Sequence, residues 1–222
     1  HHWDVREEWL VRTPGVVFAL CAAIRALTKE NDAILIQPPV YYPFAASIRD
    51  NRRKLVENQL VLCNGRYTID LADFERKIID NKVRLFILCN PHNPVGRIWT
   101  KAELTAMADI CRAHDVKIFA FPGHAYTPFG TLGDPYLREA VICTAPSKTF
   151  NIAGLQVSNI FIADEEIRRK FRQEIDATGY SQMNTAGLVA AQAAYEEGEE
   201  WFNALLTYLT GNLAILRQFT EK

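Results

Sequence analysis

Short apolar runs alternate along this chain with amphipathic stretches, and this alternation restricts the fold more than any other feature of the sequence. The continuous runs are AILIQ (33–37), RLFILCN (84–90), VKIFA (116–120), AVICTA (140–145) and VSNIFIA (157–163). Apolar runs of this length are typical of strands that are buried on both faces. Buried strands separated by helices predict a parallel sheet covered on both sides. We therefore expect an α/β fold with three layers, α/β/α, around a mostly parallel sheet.

The segments between and after these runs have helical periodicity. Predicted helices cover 15–27, 100–114, 164–177 and 184–218. Thr13-Pro14 precedes the first helix, which fits an N-cap followed by proline. Thr100 and Glu103 have the spacing of a capping box at the start of the second. Neither a repeat nor a flexible linker divides the sequence, so we expect one α/β domain.

Composition narrows the range of partners. Lys+Arg 25 against Asp+Glu 26 give a formal net charge of −1, which argues against a nucleic acid or an anionic membrane as the main partner. The apolar runs are shorter than the roughly 20 residues that a membrane span needs, and we expect no signal peptide. Five cysteines lie mostly in apolar segments without a C-x-x-C pair, which predicts reduced, buried thiols in a cytoplasmic protein. The five histidines lack the spacing of metal ligands, so we expect no metal site.

The residues that follow each strand are the first candidates for function, because parallel α/β sheets bind ligands beyond the carboxyl ends of their strands. Strand 84–90 is followed by NPHNPVGR, in which Asn93 can point its amide at a ligand oxygen and Asn93-Pro94 is a candidate cis bond. Strand 33–37 is followed by PPVYYPF, in which one of Tyr41 and Tyr42 can stack on a planar ligand while the other donates a hydrogen bond. The alternative for NPHNPVGR is an ordinary Pro-Asn turn, and the alternative for PPVYYPF is a packed aromatic turn.

A lysine follows the strand at 140–145. In PSKTFNIAGL, Lys148 is flanked by Ser147, Phe150 and Ile152. We expect these neighbours to desolvate the amine partly, which favours the neutral form that attacks a carbonyl. A surface lysine without a function is the alternative.

The TPGVV turn at the start of the first helix is the last candidate. Backbone N–H groups of Gly15, Val16 and Val17 at a helix N-terminus suit a phosphate, although many helices begin in this way without binding an anion. Taken together, a phosphate cradle, a stacking aromatic ring, an amide and a lysine describe a site for pyridoxal phosphate.

Four segments of the sequence resemble the MalY/PatB family: ILIQPPVYYPF, LFILCNPHNPVGRIWTKAEL, TAPSKTFNIAGLQVSNIFI and GLVAAQAAYEEGEEWFNALLTYLTGN. This family comprises the cystathionine β-lyase-type C–S lyases among the class I/II aminotransferase-like, fold-type I enzymes that use pyridoxal 5'-phosphate. The resemblance covers essentially all 222 residues, and the lysine motif together with NPxNPxG is specific. It implies a homodimer that acts on a small amino-acid substrate.

The resemblance also implies a role for each candidate residue. Lys148 matches the lysine that binds the cofactor as an imine and later moves the α-proton of the substrate. Asn93 matches the asparagine at the cofactor O3′, Tyr41 the tyrosine stacked on the pyridine ring, and Tyr42 its neighbour near the substrate. The residues that match the phosphate-binding group are Gly15, Val16, Val17 and Ser147.

The chain departs from the family pattern at two places near the cofactor. Gln156 stands where aspartate aminotransferases have a phosphate-binding arginine, which favours a lyase. Family members carry an acidic stretch, D-E-I-H-x-D, between the strand and FPGHAYTPF, and its first aspartate pairs with the pyridinium nitrogen. Here Phe121 follows Ala120 directly. Either the stretch is deleted, or the polypeptide carries residues at this point that the sequence omits.

We assign residues 1–222 to the cofactor-binding large domain. The N-terminal segment that helps to close the site in the family, and the C-terminal small domain with the arginine for the substrate carboxylate, are expected to be absent from this sequence.

The expected reaction is α,β-elimination from cystathionine, cysteine or another sulfur amino acid, which gives pyruvate, ammonia and a thiol. An aminotransferase is the alternative among enzymes, and a non-catalytic relative is the alternative if the deletion between Ala120 and Phe121 is real. Because a nearby carboxylate keeps the pyridine nitrogen protonated, we expect a chain that lacks the acidic stretch to be severely impaired.

Overall fold

The computed structural model describes residues 3–121 and 127–220. The strands in this part of the chain are β1 (Leu10–Thr13), β2 (Ala33–Ile36), β3 (Lys54–Glu57), β4 (Val61–Cys63), β5 (Arg66–Thr68), β6 (Val83–Cys89), β7 (Lys117–Phe121), β8 (Ala140–Thr144) and β9 (Ser158–Phe161). The α-helices are α1 (Val16–Leu27), α2 (Pro43–Asp50), α3 (Leu71–Asn81), α4 (Lys101–Ala113), α5 (Glu165–Asp176), α6 (Thr185–Glu197) and α7 (Glu199–Thr220). Short 3-10 helices cover Glu7–Trp9, Phe129–Leu132, Tyr136–Glu139 and Ala153–Leu155.

The main sheet has seven strands in the order β1-β9-β8-β7-β6-β2-β3. The strands from β8 to β3 are parallel neighbours, while β9 is antiparallel to both β8 and β1. Because β1 and β8 both run opposite to β9, β1 has the same direction as the parallel strands. β4 and β5 pair with each other in a separate hairpin. The expected mostly parallel sheet is confirmed.

Helices cover both faces of the sheet. Neighbouring residues of each strand point to opposite sides, so each strand contributes side chains to two cores. Ile34 and Ile36 of β2 belong to the core that also contains residues of α1, α2 and α5. Leu35, which lies between them, belongs to the opposite core with residues of α3 and α4. All three side chains are buried, which explains why the run carries no polar alternation. The three-layer α/β/α arrangement is therefore confirmed.

Three details differ from the expectations drawn from the sequence. The helix expected over 184–218 is divided at Gly198 into α6 and α7, and a Cβ at Gly198 would lie 2.6 Å from the ring of Phe150. The N-cap of α1 is Gly15 rather than Thr13, whose hydroxyl donates to the Gly15 carbonyl at 3.2 Å. The edge strand β1 was not expected, because four residues next to a turn give little periodic signal.

β7 passes through the point at which the family carries its acidic stretch. Ala120 pairs with Leu88 and Phe121 with Cys89 in an unbroken parallel register with β6. In a chain of this sequence, Ala120 and Phe121 are therefore consecutive residues of one strand. Residues 122–126, which follow the strand, lie outside the described part of the chain.

α7 differs from the other α-helices of the described residues because none of its residues is buried. Its exposed apolar side chains are Trp201, Leu206, Tyr208, Leu209, Leu213, Ile215, Leu216 and Phe219. Apolar surface of this extent is typical of a contact with another element or another chain. None of the helices between residues 3 and 220 that the structure describes is long and apolar enough to span a membrane.

Candidate active site

The candidate residues come from four strands that end at one edge of the sheet. β1, β2, β6 and β8 run in the same direction, and the segments with Gly15, Tyr41, Asn93 and Lys148 follow their carboxyl ends. The chain leaves β2 toward β3 on one side and leaves β6 toward β7 on the other. The boundary between β2 and β6 is thus the topological switch point, where sheets of this kind bind ligands.

The N-terminus of α1 has the features of an anion site. Gly15 has φ 141° and ψ 157°, a conformation that L side chains rarely adopt, and no atom lies within 4 Å of the position where a Cβ would stand. No side chain caps this helix, and its first turn carries no acidic residue. The N–H groups of Val16 and Val17 therefore have no acceptor within the helix. These groups and the positive end of the helix dipole suit a phosphate.

A buried histidine connects the two loops at the switch point. The Nε2 atom of His92 lies 3.0 Å from the carbonyl oxygen of Gln37 and 3.1 Å from that of Pro39. The His92 ring also meets the ring of Trp99 edge to face, with 5.4 Å between centroids. His92 is 1% exposed. Burial lowers the pKa of His92 below its usual value, and the carbonyl groups of Pro39, Gln37 and Cys89 oppose this shift without cancelling it.

The loop that carries Asn93 is held from both ends. The His92 N–H donates to the Arg97 carbonyl at 2.6 Å, and the Gly96 N–H donates to the His92 carbonyl at 2.8 Å. The Arg97 guanidinium lies over the Trp99 ring, 4.6 Å from its centroid, and forms an ion pair with Glu103. Since Glu103 also completes the capping box of α4 with its N-cap residue, as expected, the loop is fastened to the helix that follows it.

Asn93 itself is exposed at the edge of the sheet. The Asn93-Pro94 bond is cis, which confirms the sequence-based expectation. The Asn93 N–H donates to the Cys89 sulfur at 3.4 Å, and the Cys89 thiol donates to the Pro91 carbonyl at the same distance. Burial raises the pKa of Cys89 to about 11, so the thiol keeps its proton at neutral pH. The backbone of Asn93 is therefore fixed while its amide stays accessible.

The two tyrosines after β2 differ in their surroundings. Tyr41 is half-buried and meets Phe44 edge to face at 5.8 Å between centroids. Tyr42 is 82% exposed, and its ring lies 5.5 Å from that of Tyr41. Tyr41 is thus positioned by its aromatic neighbours, whereas Tyr42 can change its rotamer freely.

Lys148 lies in a turn directly after β8. The Phe150 N–H donates to the Pro146 carbonyl at 3.0 Å, and the Ile152 N–H donates to the Ser147 carbonyl at 3.1 Å. The Lys148 side chain is exposed, so the expectation that its neighbours desolvate the amine is wrong for this chain. The exposed side chain of Lys148 follows the carboxyl end of β8. Ser147 is half-buried beside it.

The phenylalanine of this turn joins it to the last two helices. The Phe150 ring lies 5.9 Å from the Tyr195 ring of α6, and 6.1 Å and 6.2 Å from the Trp201 and Phe202 rings of α7, measured between centroids. The position of Lys148 therefore depends on aromatic contacts to a peripheral part of the fold.

Sequence reasoning missed the polar residues buried beneath the candidate site. Gln37 and Asn58 are buried, and the Gln37 amide donates to the Asn58 side chain at 3.0 Å. Asn58 in turn donates to the Asp73 carboxylate at 2.9 Å. Polar residues directly after apolar strands were the available signal, and His92 within NPHNPVGR belongs to the same group. Among the described residues, no three His, Cys, Asp or Glu side chains are grouped so that they could hold a metal ion.

Residues 4–219 match the family described as aminotransferase class I and II, and the chain belongs to this family. The chain is 41% identical over 221 residues to the cystathionine beta-lyase PatB of Bacillus subtilis (strain 168), with 96% of this chain and 57% of PatB covered. It is 27% identical to the protein MalY of Escherichia coli (strain K12), with 97% of this chain and 57% of MalY covered. The resemblance to MalY and PatB that the sequence indicated is confirmed.

Solved structures agree with this placement. The fold matches cystalysin from Treponema denticola, a structure that contains pyridoxal 5'-phosphate, with a TM-score of 0.94 at 36% identity over 100% of this chain and 58% of that chain. It matches the PLP-bound C-S lyase from Staphylococcus hominis with a TM-score of 0.92 at 32% identity, over 100% of this chain and 57% of that chain. The chain thus spans little more than half the length of these relatives.

Proposed function

We propose that this chain is the cofactor-binding large domain of a pyridoxal-phosphate-dependent carbon–sulfur lyase, which eliminates a thiol from cystathionine, cysteine or a related amino acid. The observation that carries the proposal is that four different groups follow the carboxyl ends of β1, β2, β6 and β8: an uncapped helix N-terminus, an aromatic ring, an amide and an exposed lysine. The 41% identity to a cystathionine beta-lyase supports the lyase reaction in particular.

The described residues fit the cofactor at the phosphate end. Gly15 leaves open space where any other residue would place a Cβ, and α1 offers N–H groups without a competing side-chain cap. Val16 and Val17 supply the first N–H groups of the helix, and the Ser147 hydroxyl is a further donor for the phosphate.

The remaining candidates are assigned by their chemistry. Asn93 would donate its side-chain amide to the phenolic oxygen of the cofactor, and the ring of Tyr41 would pack against the pyridine face. The Lys148 amine would hold the cofactor and would move the α-proton of the substrate at Nζ. Tyr42, which is exposed, would be the tyrosine nearer to the substrate. The cofactor, when bound, supplies an electron sink for the carbanion.

A chain in which Phe121 follows Ala120 has no counterpart of the family's acidic stretch. We propose that this sequence without the stretch has little lyase activity, since no carboxylate from that stretch keeps the pyridine nitrogen protonated. Inserting D-E-I-H-x-D between these two residues is expected to raise pyruvate formation at least tenfold. Strong turnover by the chain as it stands would refute this proposal.

We further propose a cytoplasmic homodimer. Support for the dimer comes from the exposed apolar side chains of α7, and support for the compartment from the five free cysteines, of which Cys89, Cys111 and Cys143 are buried. Cys63, in the β4–β5 hairpin, is exposed, which corrects the expectation that the thiols are buried throughout. Light scattering over a range of concentrations tests the dimer.

The test of the reaction uses one mixture with three distinguishable results. This chain, and any longer product of the same gene, is incubated with pyridoxal phosphate and L-cystathionine. Pyruvate and thiol released without an added keto acid support the lyase. Transfer of the amino group to an added keto acid supports an aminotransferase, the activity for which the family is described. Cofactor binding without either product, also in the chain that carries the inserted D-E-I-H-x-D, supports the non-catalytic relative.

A further inference from the structure

His92 occupies an unusual position between two functional loops. Its backbone is directly joined to Asn93, and its ring nitrogen lies 3.0–3.1 Å from the carbonyl oxygens of Gln37 and Pro39. Pro39 precedes Tyr41 by two residues. The imidazole thus spans the switch point from the Asn93 loop to the Tyr41 loop.

The two contacts define the protonation state of the ring. A carbonyl oxygen only accepts hydrogen bonds, so Nε2 carries the proton and donates to both oxygens. Nδ1 is buried and makes no hydrogen bond among the described residues. The Cys89 carbonyl is close enough to the ring to raise the pKa of His92, but it already accepts from the Trp99 indole N–H at 3.0 Å. A second proton there would place a charge in a site that is 1% exposed, 5.4 Å from the Trp99 ring and near the Arg97 guanidinium. The ring is therefore neutral, with a single donor directed at the Tyr41 loop.

We propose that His92 is a positioning residue that sets the spacing between the Tyr41 ring and the Asn93 amide. The proposal rests on the function proposed above, in which these two groups hold the pyridine face and the phenolic oxygen of the cofactor. A ring that only filled space would need no donor between the carbonyl oxygens. A histidine that anchored only its own loop would not contact the carbonyl groups of Pro39 and Gln37, which precede it by 53 and 55 positions in the sequence.

The test compares His92→Gln with His92→Leu. Glutamine places its Nε2 the same number of bonds from the backbone as the histidine Nε2 and keeps the donor, whereas leucine removes the donor and retains most of the volume. His114→Leu is the matched control, because His114 lies far along the chain on the C-cap of α4 and pairs with Glu75. Thermal melting of the cofactor-free chains separates folded variants from unfolded ones.

Two readouts are measured. The first is the dissociation constant for pyridoxal phosphate, followed by its visible absorbance, which we expect to rise about tenfold in His92→Leu and less than threefold in His92→Gln and His114→Leu. The second is amide hydrogen exchange of the cofactor-free chain, which we expect to accelerate in both loops, 38–42 and 90–97, in His92→Leu only. If His92→Leu does not fold, His92→Asn, whose amide is too short to reach the carbonyl groups, replaces it.

The results distinguish the two proposals. If the parent chain does not bind pyridoxal phosphate, the proposed function fails, while exchange in the two loops still tests whether His92 couples them. Equal affinities and equal exchange in His92→Leu and His92→Gln overturn the positioning role. Faster exchange in only one loop also overturns it, because the residue then anchors that loop alone.

Discussion

The two sides of the candidate site are built differently. On the switch-point side, His92, Arg97 and Trp99 are at most 7% exposed, and hydrogen bonds join the loops after β2 and β6. On the lysine side, Lys148 is exposed in a turn that reaches α6 and α7 through the ring of Phe150.

Under the proposed function, this difference separates the residues that position the cofactor from the lysine that carries out the chemistry. The switch-point side is fixed by buried hydrogen bonds. Such bonds require a defined geometry and are costly to break, so they hold the loops in precise positions. The lysine side depends on apolar contacts to a helix without a buried residue, and such contacts tolerate small displacements. A ligand that binds both sides would hold the exposed lysine side against the buried switch-point side. The following changes test the contrast in order of decreasing effect.

Replacement of the lysine removes chemistry and leaves stability unchanged. We expect Lys148→Ala to lower the rate of pyruvate formation by at least about 10³-fold, because it removes both the covalent attachment and the proton carrier. Its free energy of unfolding stays within about 0.5 kcal/mol of the parent, since the side chain is exposed. Denaturant melts and a lyase assay on the active full-length product measure the two effects. Lys101→Ala, an exposed lysine at the start of α4, is the control and should alter neither quantity.

Two tryptophans offer a paired test of packing. Trp99 is fully buried, and its indole N–H donates to the Cys89 carbonyl at 3.0 Å, so Trp99→Ala should cost about 3–5 kcal/mol. Trp201 is 47% exposed on α7, and Trp201→Ala should cost less than about 1 kcal/mol. Urea unfolding of the two variants measures both. Similar losses at the two positions would contradict the contrast between the sides.

Gly198 tests the link between the lysine turn and the last helices. A Cβ at this position would lie 2.3 Å from the Ala194 carbonyl and 2.6 Å from the Phe150 ring, so Gly198→Ala should cost about 1–3 kcal/mol and accelerate amide exchange in the lysine turn. Gly211, within α7, has no atom within 4 Å of its Cβ position. Gly211→Ala should therefore stabilise the chain by up to about 1 kcal/mol. Unchanged exchange at 146–151 in Gly198→Ala would show that Phe150 does not control this turn.

The pH dependence of stability gives the smallest effect. Burial lowers the pKa of His92 in the folded chain, so the unfolded chain binds a proton first as the pH falls. The contribution of His92 to stability is present above its unfolded pKa of about 6.5 and is lost as the pH falls below that value. We expect the fall in unfolding free energy between pH 7.5 and 5.5 to be shallower in His92→Gln. An identical slope in parent and variant would mean that the folded histidine takes up a proton as easily as the unfolded one.

The layers and most of the elements followed from the amino-acid sequence alone. Continuous apolar runs such as 33–37 could only be strands covered on both faces, and the capping box at Thr100 and Glu103 fixed the start of α4. The candidate residues were found because ligands of parallel sheets bind at strand ends, a rule that needs only the order of elements.

The contacts that hold those residues in place depend on packing and were visible only in the folded chain. A segment whose periodicity is continuous is divided into α6 and α7 at Gly198, where a Cβ would lie 2.6 Å from the Phe150 ring. His92 acquires its role from carbonyl groups more than 50 residues away, and Lys148 is exposed although apolar residues flank it. Local patterns record which face of an element is apolar, but contacts between distant segments depend on how the elements pack, and packing is set by all of them together.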